Sequence, residues 1–131
     1  MIPYGKSRSK VIYEGNLYSR QNKDLDMSPY RYLLITYVLF PYADDHNSGM
    51  NNILLMDLTK KVDDKNVYTA ANLAPYNIFS SDYNGMANES MGIGCTVNND
   101  KNNLKVVMSY GKNILASTET RYYVSKVVGV Y

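Results

Sequence analysis

Residues 30–40 decide the fold of this chain, and they read Tyr30-Arg31-Tyr32-Leu33-Leu34-Ile35-Thr36-Tyr37-Val38-Leu39-Phe40. β-Branched and aromatic residues dominate the stretch, and Pro29 and Pro41 bracket it, which limits it to the length of a β-strand. Alternate residues of a strand point to opposite faces, and both faces here are apolar. Such a strand is covered on both sides. We therefore expect it to pack against a second sheet and, in so short a chain, against another subunit.

The residues expected at that subunit contact belong to this strand and to the last strand of the chain. Tyrosine suits both places, because its ring packs while its hydroxyl stays hydrated, and it is favoured where one surface recognises another. The chain has fourteen tyrosines and no tryptophan. The predicted oligomer interface comprises Tyr30, Tyr32, Tyr37, Leu39, Tyr122 and Tyr123.

Other short strands are predicted on either side, separated by turn signals. They cover residues 10–14, ended by Gly15 and Asn16, and residues 52–58, 67–69, 91–97, 104–110 and 122–131. Residues 52–58 are expected to pair antiparallel with 30–40, and 91–97 with 104–110 through an Asn-rich turn. Residues 70–77 have room for a brief helical turn, and residues 80–90 are expected to form a long irregular loop.

Seven or eight short strands with little helix predict an all-β fold, an antiparallel β-sandwich of jelly-roll-like form. The 131 residues suit one domain, which we place at 10–131 after a flexible N-terminal segment at 1–9. Hydrophobic residues make up 45%, enough for a core. A net charge of +2 with scattered basic residues argues against nucleic-acid binding.

The termini and the apolar stretches bear on location. No signal peptide is recognised at the start of the chain, and the longest apolar stretch is too short to span a bilayer as a helix. We expect synthesis in the cytoplasm and no membrane insertion. The single cysteine, Cys95, excludes an internal disulfide, and its strand-like surroundings favour a buried structural thiol.

Sequence motifs for catalysis or for a cofactor are not found. One histidine and one cysteine cannot build a zinc site, no Gly-x-Ser-x-Gly elbow is present, and Asp45-x-Asn47-x-Gly49 lacks the bidentate carboxylate of a calcium loop. We expect a protein that is not an enzyme and has no cofactor. The polar loop tip and the tyrosines on predicted loops are instead the candidates for touching a saccharide: Tyr42, Asp44, Asp45, His46, Tyr76 and Tyr83.

Three segments together resemble a family. Residues 10–16, then residues 28–37 with the pattern Tyr-x-Tyr-Leu followed by two apolar residues, and finally residues 121–131 are similar to the C-terminal β-sandwich domain of phage tail, baseplate and fibre proteins. The resemblance covers both ends of the chain and leaves residues 59–103 unmatched. It implies a β-sandwich in a virion, commonly a homotrimer, that contacts other virion proteins and binds host-surface polysaccharide.

One departure from the family pattern keeps alternatives open. Such domains usually close a longer fibre protein, whereas this chain reaches the domain almost at Met1. It is therefore expected to be either an excised domain or a free-standing virion component, such as a capsid decoration or adaptor protein. A carbohydrate-binding module without a virion role is a second hypothesis, and a small hydrolase of sandwich fold is a third.

Overall fold

The structure, a computed structural model, describes residues 8–39, 50–61, 67–80, 85–107 and 122–131. These residues form eight β-strands and no helix. The strands are β1 (Ser9–Tyr18), β2 (Asn22–Asp24), β3 (Tyr32–Leu39), β4 (Met50–Asp57), β5 (Val67–Ser80), β6 (Gly85–Asn98), β7 (Asn103–Val107) and β8 (Tyr122–Val130).

The eight strands of the described residues form two four-stranded antiparallel sheets. The first sheet has the order β1-β8-β3-β4, and the second has the order β2-β7-β6-β5. The first strand therefore pairs with the last and the second with the seventh, and this nesting is the jelly-roll-like feature of the fold. The predicted all-β sandwich is confirmed.

The core lies between the inner faces of the two sheets. On β3 every second residue is buried completely or almost completely, namely Leu33, Ile35 and Tyr37. Leu104 and Val106 of the second sheet are fully buried in the same cluster. The predicted pairing of β3 with β4 is confirmed, since Tyr32 lies opposite Asp57 and Leu39 lies opposite Met50.

The predicted hairpin of β6 and β7 also forms, and its asparagines shape the turn. The side-chain oxygen of Asn98 accepts hydrogen bonds from the backbone N–H groups of Asn102 (2.9 Å) and Asn103 (3.0 Å). Lys101 adopts a φ of 56° within this turn. These bonds pin the register that places Val97 opposite Leu104. Residues 108–110 of the predicted strand lie outside the described part.

Three local predictions were wrong. β1 continues past Gly15 to Tyr18, because a register shift between Glu14 and Leu17 accommodates the extra residues as a bulge. Residues 70–77 belong to β5 rather than to a helical turn, and residues 85–90 belong to β6 rather than to a loop. Pro75 is tolerated there because β5 is an edge strand.

Candidate functional site: the outer face of the first sheet

One row of apolar side chains crosses the outside of the first sheet from edge to edge. The pairing register places Val11 of β1 opposite Val128 of β8, Val128 opposite Leu34 of β3, and Leu34 opposite Leu55 of β4. We call Val11, Val128, Leu34 and Leu55 the apolar row. The alternating residues of β3 and β4 fill the core, so the apolar row lies on the outer face.

The apolar row is open to solvent, most of all at its two ends. Val11 is 45% exposed, Leu55 is 61% exposed, and Ile53, two residues before Leu55 on the same side of β4, is 60% exposed. Leu34 and Val128 are half-buried between their neighbours. Single exposed apolar residues are ordinary on protein surfaces, but a connected group of them marks an interaction site.

Three further rows complete the outer face, each read from the same register. On one side of the apolar row lies a single row, made of Ser9, Val130, Tyr32 and Asp57. On the other side, the nearer row is Glu14, Lys126, Thr36 and Ile53. The row beyond it is Tyr18, Tyr123, Val38 and Asn51. The rings of Tyr18 and Tyr123 are 5.3 Å apart between centroids and pack tilted against each other. The outer face thus carries three charged residues among sixteen.

The second sheet has a different outer surface. Its register sets Thr69 opposite Thr96, Thr96 opposite Lys105, and Lys105 opposite Asn22, which makes a polar row across all four strands. A half-buried antiparallel sheet normally shows polar residues of this kind to water. The next row of the second sheet, Ala71, Gly94 and Val107, is non-polar, and Val107 is 38% exposed, but this row does not reach β2. An apolar row across all four strands is thus found, among the described residues, on the first sheet.

Asp57 marks one corner of the outer face with a fixed negative charge. Its carboxylate accepts hydrogen bonds from the hydroxyl and from the backbone N–H (2.8 Å) of Thr59. These bonds stabilise the ionised form and hold the pKa of Asp57 below its usual range. The carboxylate is ionised at neutral pH and borders the apolar row at Leu55.

The predicted interface residues are split by the structure. Tyr32 and Tyr123 lie on the outer face of the first sheet, and their part in an interface stays a prediction. Tyr37, only 1% exposed, fills the core between the sheets instead. Alternation places it on the same side of β3 as Leu33 and Ile35, so Tyr37 is removed from the candidate interface.

The prediction that Tyr30 belongs to the interface is also wrong, because Tyr30 is buried at one end of the sandwich. It is 6% exposed, and its ring covers Gly129, where an added Cβ would lie 2.5 Å from the ring. The ring of Tyr131 packs on it with centroids 5.0 Å apart. Burial of Tyr30, with help from Tyr131, raises the pKa of its hydroxyl. Leu39 and Tyr122 lie opposite each other at the far ends of β3 and β8.

The predicted saccharide-contacting residues are not brought together in the described part. Tyr42, Asp44, Asp45 and His46 fall in residues 40–49, and Tyr83 in residues 81–84, all outside the described residues. Tyr76 lies within β5 opposite Glu89, so its placement on a loop was wrong.

The thiol of Cys95 lies in the core as predicted. Burial raises the pKa of this thiol to about 12, so it stays protonated and unreactive in the folded protein. Within residues 8–39, 50–61, 67–80, 85–107 and 122–131, no group of three His, Cys, Asp or Glu side chains is placed to hold a metal ion.

Comparison with known proteins adds no assignment: no family model matches the chain, and no curated protein matches it significantly. The residues of the described part include no helix with the length and apolar character needed to cross a membrane.

Sequence reasoning missed most of the apolar row, although a signal was present. Residues 53–56 of β4 read Ile53-Leu54-Leu55-Met56, so β4, like β3, is apolar on both faces. Only β3 was interpreted in this way. Val11 and Val128 join the apolar row because β1 pairs with β8, and these strands lie at opposite ends of the chain. Local sequence patterns carry no information about such a long-range pairing.

Proposed function

We propose that this chain is a structural protein of a phage virion that associates with copies of itself through the outer face of its first sheet. The observation that carries the proposal is the apolar row, which is continuous over four strands and ends in Leu55 at 61% exposure. A connected group of aliphatic side chains that is open to water is typical of an interaction site.

The size of the outer face fits a protein partner. Four strands about 4.8 Å apart and three rows about 6.8 Å apart cover about 400 Å² in projection, and more in accessible area because the side chains are rough. The fourth row is left out because its Val38 is only 9% exposed. A specific interface buries about 800 Å² on each partner. That is about a tenth of the 8044 Å² accessible surface of the chain.

The virion role is supported by where the resembling segments fall. The segments at 10–16, 28–37 and 121–131 contribute to β1, β3 and β8, and these three strands are neighbours in the first sheet. The resemblance therefore concerns one structural unit, the unit that also carries the outer face. From the resemblance we also propose a location in a tail, in a fibre or on the capsid surface. The resemblance further implies a trimeric assembly and a host polysaccharide as the ligand. A capsid decoration or adaptor role uses the same surface.

The absence of catalytic chemistry is part of the proposal. In the described residues the one nucleophile of note, Cys95, is a buried and protonated thiol. The outer face offers packing rather than acid–base groups, since Glu14, Lys126 and Asp57 are the charged residues among its sixteen and lie on two different rows. We therefore assign the chain a binding and assembly role.

Light scattering tests the self-association with a matched pair of variants. Leu55→Glu places a charge on the apolar outer face, and Thr69→Glu places one at an exposed site on the outer side of the other sheet. We expect the wild type and Thr69→Glu to form the same oligomer at micromolar concentration and Leu55→Glu to be monomeric. A monomeric wild type, or an oligomer unchanged by Leu55→Glu, would remove the proposal.

Mass spectrometry of purified particles tests the virion role separately. The expected result is the chain at a fixed copy number in particles of the phage that encodes it. Immunogold labelling then distinguishes a tail position from a capsid position. Particles that lack the chain would contradict the virion role and leave a stand-alone binding module as the better hypothesis.

A further inference from the structure

The charged residues of the outer face indicate the orientation in which two copies pack together. This inference rests on the proposed self-association through the outer face. A contact of a surface with itself obeys a two-fold axis, and each residue meets the residue that the axis assigns to it. Two stacked sheets allow two such axes, one parallel to the strands and one perpendicular to them. The three charged residues of the outer face distinguish between the two axes.

An axis parallel to the strands exchanges the two sides of the sheet. β1 then meets β4 of the second copy, β8 meets β3, and every row meets itself. Val11 faces Leu55 of the second copy, and Val128 faces Leu34 of the second copy. The apolar row is thereby buried against the apolar row of the other copy.

The axis parallel to the strands sets two of the three charged residues of the outer face against hydroxyl groups. Lys126 faces Thr36 of the second copy, and Asp57 faces Ser9 of the second copy, so both charges meet hydroxyl groups. Glu14 faces Ile53 of the second copy, and it is the one charge that this axis sets against an aliphatic side chain. No two like charges oppose each other.

An axis perpendicular to the strands gives a poorer match. Centred on the apolar row, it still sets that row against itself, but it exchanges the two flanking rows. Lys126 then faces Val130 of the second copy, and Asp57 faces Ile53 of the second copy. Glu14 meets the hydroxyl of Ser9, but two charges lose water against aliphatic side chains, compared with one about the axis parallel to the strands, and each such contact is costly.

We infer that the outer face is a two-fold interface in which two copies stack their first sheets, with the axis parallel to the strands and between β8 and β3. The stacked sheets lie about 10 Å apart with strands aligned to within about 30°. The pairing is closest near the axis and in the apolar row. The unit of assembly is therefore a dimer of this chain, in place of the trimer that the resemblance implies.

Charge exchange across the axis tests this pairing. Val11→Lys and Leu55→Glu each bury an unpaired charge in the dimer, so each variant alone is expected to be monomeric. In a mixture, Lys at 11 of one variant faces Glu at 55 of the other, while the remaining Leu55 and Val11 still face each other. We expect native mass spectrometry to show the mixed dimer and neither homodimer.

Matched controls come from the other sheet. Asn22→Lys and Thr69→Glu change the two ends of the polar row and are expected to leave the wild-type dimer intact, alone and mixed. Circular dichroism confirms folding, which we expect because Val11 and Leu55 are both exposed. As a second readout on the wild type, dilution from the dimer to the monomer is expected to speed amide exchange around Leu34 and Val128 and to leave Thr96 unchanged.

Each other outcome overturns the inference in a distinguishable way. Monomers in the mixture, with each variant monomeric alone, show that the face is used in another register. A measured mass of three copies replaces the two-fold pair by a trimer and leaves the proposed function standing. A wild type that is monomeric removes both the pairing and the proposed self-association.

Discussion

Leu54 and Leu55 are neighbours on β4, and replacing each with alanine separates the stability of one copy from the association of two. Leu54 is 4% exposed and belongs to the core, whereas Leu55 is 61% exposed on the outer face. Leu54→Ala leaves a cavity, so we expect it to lower the free energy of unfolding by about 2–5 kcal/mol. Leu55→Ala, at a site that is 61% exposed, is expected to change it by no more than about 0.5 kcal/mol.

The effect on association is expected to be reversed. Complete burial of a leucine side chain contributes about 1.5–3 kcal/mol. The 61% of Leu55 that is exposed in one copy leaves about 1–2 kcal/mol to be gained when two copies meet. Both copies carry the residue, so a dimer loses about 2–4 kcal/mol in Leu55→Ala, which raises Kd about 30- to 700-fold.

Two assays separate these effects. Sedimentation equilibrium measures Kd for the wild type and for each variant, and urea unfolding below the wild-type Kd measures the stability of a single copy. A Kd that is unchanged by Leu55→Ala would refute the reasoning. So would a loss of single-copy stability as large for Leu55→Ala as for Leu54→Ala, because Leu55 would then be part of the core.

Three further predictions concern the stability and ionisation of one copy. Gly129→Ala sets a Cβ 2.5 Å from the Tyr30 ring, so we expect it to lower the free energy of unfolding by about 1–3 kcal/mol, measured as a lower urea midpoint. When Tyr30 is already alanine, adding Gly129→Ala is expected to cause no further loss. An unchanged midpoint in Gly129→Ala alone would contradict the close contact. Cys95 keeps its proton in the folded protein up to about pH 12, whereas the unfolded thiol loses it near 9.0. Stability relative to Cys95→Ala is therefore expected to fall above pH 9.0 by about 1.4 kcal/mol per pH unit in urea titrations, and parallel curves for the two proteins would argue against burial of the thiol. Thr59→Val removes a hydroxyl that donates to Asp57, so an NMR titration is expected to show the pKa of Asp57 rising towards 3.8, and no change would separate the lowered pKa from this hydrogen bond.

Local patterns in the sequence were sufficient for the strands rich in β-branched residues. β3, β8 and the hairpin of β6 with β7 follow from period-two alternation and from asparagine at the turn. Local patterns failed to predict a strand where its formation depends on pairing with a neighbouring strand. β2 is three polar residues, Asn22–Asp24, held by pairing with β7, and nothing in its own sequence indicates a strand.

Residues rich in Asn, Ser and Gly misled in a similar way. The stretch from Gly85 to Ser90 has the composition of a loop, yet it pairs residue by residue with β5. β-Propensity reflects packing and pairing more than an intrinsic preference of the backbone. The backbone pairing of two long strands therefore prevails over local composition here.

For the candidate site, the sequence predicted the kind of surface but not its members. Two apolar faces on β3 were enough to expect a partner on the outer side. Which face is outer depends on the core, and this is why Tyr37 was assigned to the interface and is found buried. The apolar row itself depends on long-range register, since Val11 and Val128 meet only when the first and last strands pair.

The most direct test of self-association through the outer face is the molar mass of the purified chain in solution. Light scattering across a dilution series from high to low micromolar concentration is expected to show dimers that dissociate to monomers, and Leu55→Glu is expected to be monomeric throughout. A wild type with the mass of one copy at every concentration, or a Leu55→Glu variant that dissociates in the same range as the wild type, would contradict the account.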